Sequence, residues 1–560
     1  MTYRATRAGA FVALVLVAAI ASSFAPYARG AAALSIAPID PLLQQQMLAN
    51  PARPLPVILE MEHSQVPLAG ADLNLAQQAF NLLQLNGTAQ AALPLIDSAA
   101  GLATAAGITA LAATPGVAYV HQDAAVRAHD SSGAASLGSA YPLAVNADRA
   151  WNAGRTGKGV TVAVLDSGIA PDADLTQPTN RILAEVNFAD PLPAAGSTDP
   201  GGHGTHVAGT IAGNGLRSAG QYVGIAPRVN LVDVRVLDTN GNGRVSSVVL
   251  GVQWALDHRA QYGIRVLNLS LGAPAPASYR TDPLAAAVEI AWARGLVVIA
   301  AVGNTAGSVD SPGEDPYVLT VGATDDRQTG PVSDDMVAWF SGSGTPSGST
   351  SKPDVVAPGR RITSVRVPGS ALDRLLPDHV VTAATGATYF RLTGTSMATA
   401  VVSGAVALLL EQQPTLTPDQ VKAIIKGTTR PFGQASGSTP SAATIGSGLV
   451  DAYAALTSGL RGSANRGQRP SDGTARTLFP ALYGQPLTWV NANYDGLLWG
   501  LLTWSTLRWD NIAWDNIAWD NIAWDNIAWD NIAWDNIAWD SSKWSNIAWD
   551  NIAWDSQQLD

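Results

Sequence analysis

Three stretches of the sequence pair a residue able to move a proton or attack a carbonyl with a defined place to stand. Asp166 ends the apolar run VTVAVLD at residues 160–166. A carboxylate at a strand end sits at the rim of a sheet, where it can accept a hydrogen bond from an imidazole and fix its tautomer; an aspartate there also serves as a turn residue or helix cap. His203 lies in DPGGHGTHVAGTIAG, with glycines on both sides that allow close approach of backbone and substrate, which suits a general base. His206 completes an HxxH, half a metal site, but no glutamate or third histidine follows at useful spacing among the seven histidines. Ser396 follows Gly-Thr and opens the apolar run TSMATAVVSGAVALLL. It reads either as an N-cap or as a nucleophile at the positive end of a helix, with an adjacent base to take its proton. It lacks the GxSxG elbow of another hydrolase class.

The elements around these residues are legible from patterning. VTVAVLD (160–166), VNLVDVRVL (229–237), RVLNLSLG (265–272) and LVVIAAVGN (296–304) are continuous β-branched and apolar runs separated by helical stretches. Runs of this kind predict an α/β fold, a doubly wound and mostly parallel sheet covered on both faces. In such sheets chemistry gathers at the carboxyl ends of the strands, and each run is followed there by polar or Gly-rich residues.

The ends of the chain differ from this middle. Arg4 and Arg7 precede the apolar core FVALVLVAAIA (11–21) and a small-residue region, the pattern of a secretory signal over 1–33. Residues 34–139 contain a strand-like PVILEME (56–62), a helical stretch at 75–85 and PGVAYVHQDAAV, together a small α+β unit. RAHDSSGAASLGS (127–139) is polar and suits a processing cut. Residues 140–456 form the main domain, and the Gly, Ser, Arg and Pro content of 457–486 reads as a linker. The 560 residues contain no cysteine, which excludes disulfides, a thiol nucleophile and cysteine-ligated zinc. The formal charge of −11 belongs mostly to the C-terminus: from Trp489 onward eleven Asp face only Arg508 and Lys543. No basic stripe argues for nucleic acid.

Taken together, the chain order Asp166, His203, Ser396 and the sequences around each resemble the subtilisin-like serine proteases, over residues 141–456, with IGSGLVDAY (445–453) resembling the end of that family's catalytic domain. The resemblance implies a secreted bacterial serine endopeptidase made as a precursor. Asn304 of AAVGN would be the oxyanion-hole donor beside the Ser396 N–H. Gly241, Asn242 and Gly243 would form one backbone edge for substrate, and Ser270, Leu271 and Gly272 the other. Ala301 to Gly303 would face Ser270–Gly272 across the primary specificity pocket; small uncharged walls imply apolar side chains there, with broad tolerance. Val245, small where the family often has an aromatic, would leave a distal subsite open. LDTNGNGRVS begins like a calcium loop, but its twelfth position is Val249. No cofactor is required for the chemistry, and a structural calcium stays open. Residues 34–139 resemble the family's inhibitory propeptide. Ala400 and Val401 replace the proline usual after the serine motif, and the stretch between Gly359 and Ser396 is longer than in the simplest members.

The C-terminal residues 487–560 carry aromatics every five residues from Trp489, in near-perfect WDNIA copies. Five residues per repeat spirals tryptophans around a helix and flips them between faces of a straight strand. A turn at each Asp-Asn with Ile-Ala-Trp as a short strand solves both problems, giving a stacked β array. Exposed Trp faces suit binding to glycans, to a cell surface or to copies of the tail itself. The rival to a protease is therefore a surface or matrix adhesion protein with the Trp array as its working part.

Overall fold

The apolar runs become strands within three residues of their expected limits in the computed structural model, which describes residues 36–62, 75–128, 139–189, 199–275, 278–433 and 440–478. The signal-like N-terminus and the WDNIA tail lie outside the described residues.

The N-terminal α+β segment contains α1 (Pro41–Ala49), β1 (Leu55–Met61), α2 (Leu75–Asn86), β2 (Thr88–Leu93), β3 (Ser98–Ala103), α3 (Ala105–Ala112) and β4 (Val117–Gln122). The strands pair antiparallel in the order β2-β3-β1-β4. Alternation along β1 divides its side chains between two cores. Val57 and Leu59 face Leu83, Ile108 and Leu111 of the segment's own helices, whereas Ile58, with Leu93, Ile96 and Ala100, joins the core of the main domain. The sheet is thus covered on one face by its own helices and on the other by the domain that follows.

The main domain is built on β6 (Thr161–Asp166), β7 (Ile182–Asn187), β8 (Asn230–Arg235), β10 (Ile264–Leu269), β12 (Val297–Ala301), β13 (Leu319–Asp325) and β15 (Val355–Pro358). These run parallel, with β14 (Met336–Val337) antiparallel at an edge. Burial of every residue of β6 and β12 explains why their sequences do not alternate. One face carries α4 (His203–Ala212) and α7 (Thr395–Gln412), packed on each other; the other carries α5 (Val245–Asp257) and α6 (Pro283–Ala293). By length and composition α7 could cross a bilayer, but 89% of it is buried inside the fold, as expected of a helix apolar all round. It crosses β10, β12, β13 and β15. Gly404 permits its close approach to Ile225, which a Cβ would meet at 2.5 Å.

Two smaller sheets bear on the site. Strand β5 (Ala125–Ala128), the last of the N-terminal segment, lies between β9 (Asn242–Arg244) and β11 (Leu271–Gly272) in the order β11-β5-β9. The long stretch before Ser396 folds as β16 (Ile362–Val365), β17 (Val380–Thr382) and β18 (Thr388–Leu392).

Residues 457–486, expected as a linker, are packed as far as they are described. Ser463 and Asn465 donate to the buried Asp419 at 2.7 and 2.8 Å. The Tyr317 and Tyr279 hydroxyls donate to the Gln468 and Arg469 carbonyls. Ser471 gives its N–H and hydroxyl to the buried Glu289 at 2.8 and 2.9 Å, and α8 (Asp472–Leu478) lies on α6. Composition misled here because small polar residues serve equally as solvated spacers and as donors to buried carboxylates.

Candidate active site

Asp166 ends β6 fully buried, and its Oδ1 accepts from the Ser167 N–H at 2.7 Å and from His203 Nδ1 at 2.6 Å. His203 is the first residue of α4, also buried, and is brought to Asp166 by glycines. Gly202 holds a left-handed conformation, φ 92°, that turns the chain into the helix. A Cβ on Gly204 would collide with the Gly168 carbonyl oxygen. The imidazole is thereby held with its Nδ1 hydrogen toward the carboxylate, which leaves Nε2 as the ring's proton-accepting atom.

A third acid, Asp199, organises this junction without touching the histidine. Its carboxylate accepts from the Ser167 hydroxyl (2.8 Å), the Gly202 N–H (2.7 Å), the Thr205 N–H (2.9 Å) and the Thr205 hydroxyl (2.6 Å). Ser167 Oγ in turn accepts from the Gly204 N–H at 3.0 Å. Burial raises the Asp199 pKa, and these donors oppose that. The network ties the turn after β6 to the first turn of α4. His206 points away from it: its Nε2 donates to the carbonyls of Ile362 and Phe390 at 3.0 and 3.1 Å. Burial lowers its pKa to about 3, so it is neutral.

Ser396 lies in the first turn of α7, where the helix's own ladder does not use the backbone amides. Its hydroxyl donates to the Ser270 carbonyl at 2.9 Å and its carbonyl accepts from the Ser270 hydroxyl at 2.9 Å. Ser270 Oγ also accepts from Asn268, which Ser403 of α7 holds in turn. Asn304 follows β12, and its Oδ1 accepts from both the N–H and the hydroxyl of Thr395 at 2.9 Å. A backbone N–H can only donate, so this contact fixes which side of the amide is oxygen. The Asn304 Nδ2, buried and without a hydrogen-bond partner among the described residues, faces the other way.

Gly241 directly precedes β9, which contains Asn242 and Gly243, and Ser270 directly precedes β11, which is Leu271 and Gly272. In β5, Val126 stands opposite Gly243, Arg127 opposite Asn242 and Gly272, and Ala128 opposite Leu271. An extended segment of the same chain thus completes a sheet with both edges. Val245 is buried, in one cluster with Val126. The Asp238 carboxylate accepts from the Asn240 and Asn242 N–H groups at 2.8 and 2.9 Å, so it shapes the β9 turn. Among the described residues no three His, Asp or Glu gather as a ligand set. The long stretch before Ser396 leans on the histidine turn, with Ala371 and Leu372 donating to the carbonyls of Pro200 and Gly201.

A family model described as the Subtilase family matches residues 157–458, more than half of the chain. The chain belongs to that family. Serine protease AprX of Bacillus subtilis (strain 168) is 43% identical over 283 residues, covering 49% of this subtilase and 62% of that protein. Alkaline protease of Alkalihalobacillus alcalophilus is 37% identical over 353 residues, 62% of this chain and 76% of the relative. Subtilisin Savinase of Lederbergia lenta is 39% identical over 313 residues, 56% and 96% respectively.

Asp310 is brought against Gly303, one of the residues expected to form a wall of the primary specificity pocket. A Cβ built on Gly303 would stand 2.7 Å from Asp310 Oδ2 and 2.9 Å from its Cγ. Asp310 sits in SVDSPGED, a loop with no motif, and only the fold brings it back to residue 303. Asp199 was within reach of sequence reasoning, as the acid opening DPGGHGTH.

Proposed function

We propose that this subtilase is a serine endopeptidase, made as a precursor and exported, that cleaves proteins or peptides through an acyl-enzyme. Ser396 Oγ bonds to the carbonyl carbon while His203 Nε2 takes its proton, and Asp166 stabilises the imidazolium. The carbonyl oxygen, now negative, receives Asn304 Nδ2–H and the Ser396 N–H. His203 gives its proton to the leaving amine as the C–N bond breaks. Water then attacks the acyl-enzyme with His203 again as base. The observation that carries the reading is the 2.6 Å His203–Asp166 contact, on a scaffold where Ser396 is anchored to the Ser270 substrate edge.

The N-terminal segment acts as an intramolecular inhibitor in this reading. It is supported by β5, which takes the hydrogen-bonding places a substrate strand would use. It is further supported by Asp123, just before β5, whose carboxylate accepts from the N–H and hydroxyl of Ser246 at the start of α5, at 3.0 and 2.7 Å. The signal-like residues 1–33 support an extracellular location. The adhesion reading draws nothing from the described residues, since the repeat lies outside them.

The deciding comparison is wild type against Ser396→Ala, assayed for casein hydrolysis and for release of the N-terminal segment. Wild-type activity with an inert variant is expected. Equal cleavage by both would sink the assignment.

A further inference from the structure

We infer that Asp199 is a positioning residue for the acyl-transfer chemistry, its carboxylate setting the distance between Asp166 and His203 by holding the turn after β6 against the first turn of α4. The inference rests on the endopeptidase reading above. It adds a residue that acts through others, since the bonds of Asp199 go to Ser167, Gly202 and Thr205.

Both carboxylate oxygens are engaged twice. Oδ1 accepts the Ser167 hydroxyl at 2.8 Å and the Gly202 N–H at 2.7 Å; Oδ2 accepts the Thr205 N–H at 2.9 Å and the Thr205 hydroxyl at 2.6 Å. Each hydroxyl is itself held from behind. Ser167 Oγ accepts the Gly204 N–H at 3.0 Å, and Thr205 Oγ1 accepts the Ala170 N–H at 2.8 Å. Residues 167 and 170 belong to the turn after β6, and residues 202, 204 and 205 to the start of α4, so the hub joins the two elements that carry the aspartate and the histidine. Ser167 links the two acids directly, with its N–H on Asp166 Oδ1 at 2.7 Å and its hydroxyl on Asp199 Oδ1. Asp166 Oδ1 is also the atom that meets His203 Nδ1 at 2.6 Å. The same bonds serve N–H groups at the start of α4 that its own ladder leaves unused, where the N-cap residue, Gly202, has no side chain to do so.

Only an ionised carboxylate fits this place, because it is acceptor-only at both oxygens. An asparagine, whichever way it is turned, points its NH2 at the N–H of Gly202 or of Thr205, which can only donate. Asp199 is 2% exposed, so water does not relieve that clash. Burial raises the Asp199 pKa and its donors lower it. The charged groups facing it come from β6 and β8: Asp166, Asp233, which burial pushes well up, and Arg235. Arg235 stands opposite Asp166 in the sheet, and Asp199 is foremost among the acids acting on its buried guanidinium. His206, further along α4, is neutral.

The test is steady-state kinetics across pH, on enzyme whose N-terminal segment has been released. Asp199→Asn is expected to lower kcat by about 100-fold, the order that an ångström of misplacement costs, while KM moves less than about 3-fold. Removing a buried negative charge from the start of α4 also favours the neutral imidazole, so the acid limb of kcat/KM should move to lower pH. Thr205→Val and Ser167→Ala each remove one link and should lose about 10-fold in kcat; Thr205→Ser, which keeps both donors, should restore what Thr205→Val loses. The low-field Nδ1–H proton resonance of His203, compared between Ser396→Ala and the same protein carrying Asp199→Asn, should move upfield as the contact with Asp166 lengthens. A kcat within about 3-fold of wild type in Asp199→Asn overturns the assignment. So does a loss of kcat with the acid limb and the Nδ1–H resonance unmoved, which is what a merely structural role would give. If Asp199→Asn does not fold, Thr205→Val and Ser167→Ala decide, and wild-type rates in both overturn it. Peptide cleavage that persists in Ser396→Ala overturns the reading underneath and the assignment with it.

Discussion

Thr395 holds Asn304 by two donors at once, its N–H and its hydroxyl both reaching Oδ1 at 2.9 Å. The amide's NH2 is therefore directed before substrate arrives, the preorganisation that makes a transition-state donor effective. Asn304→Leu is expected to lower kcat by ~100–1000-fold with KM little changed. Thr395→Val keeps the N–H contact and loses the hydroxyl, so a smaller loss, about 10-fold and again in kcat, is expected. Steady-state kinetics on one peptide substrate checks both. A Thr395→Val effect confined to KM would mean that Thr395 contacts substrate instead.

Asp166, His203 and Ser396 are legible as candidates because each sits in a local pattern that survives without the fold: Asp166 at a strand end, His203 between glycines, Ser396 opening an apolar helix. The parallel sheet was legible for the same reason, since β6, β10 and β12 are mostly β-branched and apolar without strict alternation. What was hidden depends on long-range return of the chain. Asp310 reaches Gly303 through a loop without periodicity, and Asp123 caps a helix that begins more than a hundred residues later. Ser463, Asn465 and Ser471 look like spacer residues until the buried Asp419 and Glu289 are seen opposite them. Local chemistry is written in spacing, whereas partners set by tertiary closure are not.

Asp123 supplies the first turn of α5 with an acceptor that the helix lacks of its own, because the N-cap residue is Arg244 with no side-chain capping bond. Removing a capping acceptor costs ~1 kcal/mol, about fivefold in an equilibrium constant. Asp123→Ala should therefore weaken the hold of the N-terminal segment on the enzyme. The expected readout is a shorter lag before peptidase activity appears in the purified precursor. An unchanged lag would count against the cap as part of the inhibitory contact.

The packed residues 458–478 should stabilise the catalytic domain. Without them Glu289 loses the N–H and hydroxyl of Ser471, and Asp419 loses Ser463 and Asn465. Stranding buried carboxyl groups costs about 1–3 kcal/mol each. In the Ser396→Ala background, to prevent self-digestion, a chain ending at residue 457 should melt several degrees below one ending at residue 478. Calorimetry distinguishes this from a true linker, for which the two melting temperatures would coincide.

His206 gives the fold a defined acid sensitivity. Burial lowers its pKa to about 3, below the ordinary ~6.5 expected of the unfolded chain. Between those values the unfolded chain binds the extra proton, so this contribution is complete above pH 6.5 and is lost as pH falls toward 3, at up to ~1.4 kcal/mol per pH unit. Urea unfolding of Ser396→Ala between pH 7 and 4 should show the decline, and adding His206→Gln should flatten it. Parallel curves for the two proteins would mean that other groups set the acid limit.

The register of β5 sets where the precursor should be cut. Arg127 stands opposite Gly272 and Ala128 opposite Leu271; antiparallel partners step in opposite directions, so a peptide strand continued in this register is expected to present its next residue to Ser270. Ser270 is the residue whose carbonyl receives the Ser396 hydroxyl. The bond expected to break is therefore His129–Asp130, inside the polar 127–139 stretch. N-terminal sequencing of the active enzyme should begin at Asp130, and Ser396→Ala should remain uncut. Replacing His129 with lysine should preserve processing, whereas His129→Pro, which removes the N–H that a strand in this register would offer to the Ser270 edge, should slow it. A mature start well past Asp130 in the first product, before any trimming, would mean that the strand is cut in a register other than the one that pairs it with β9 and β11.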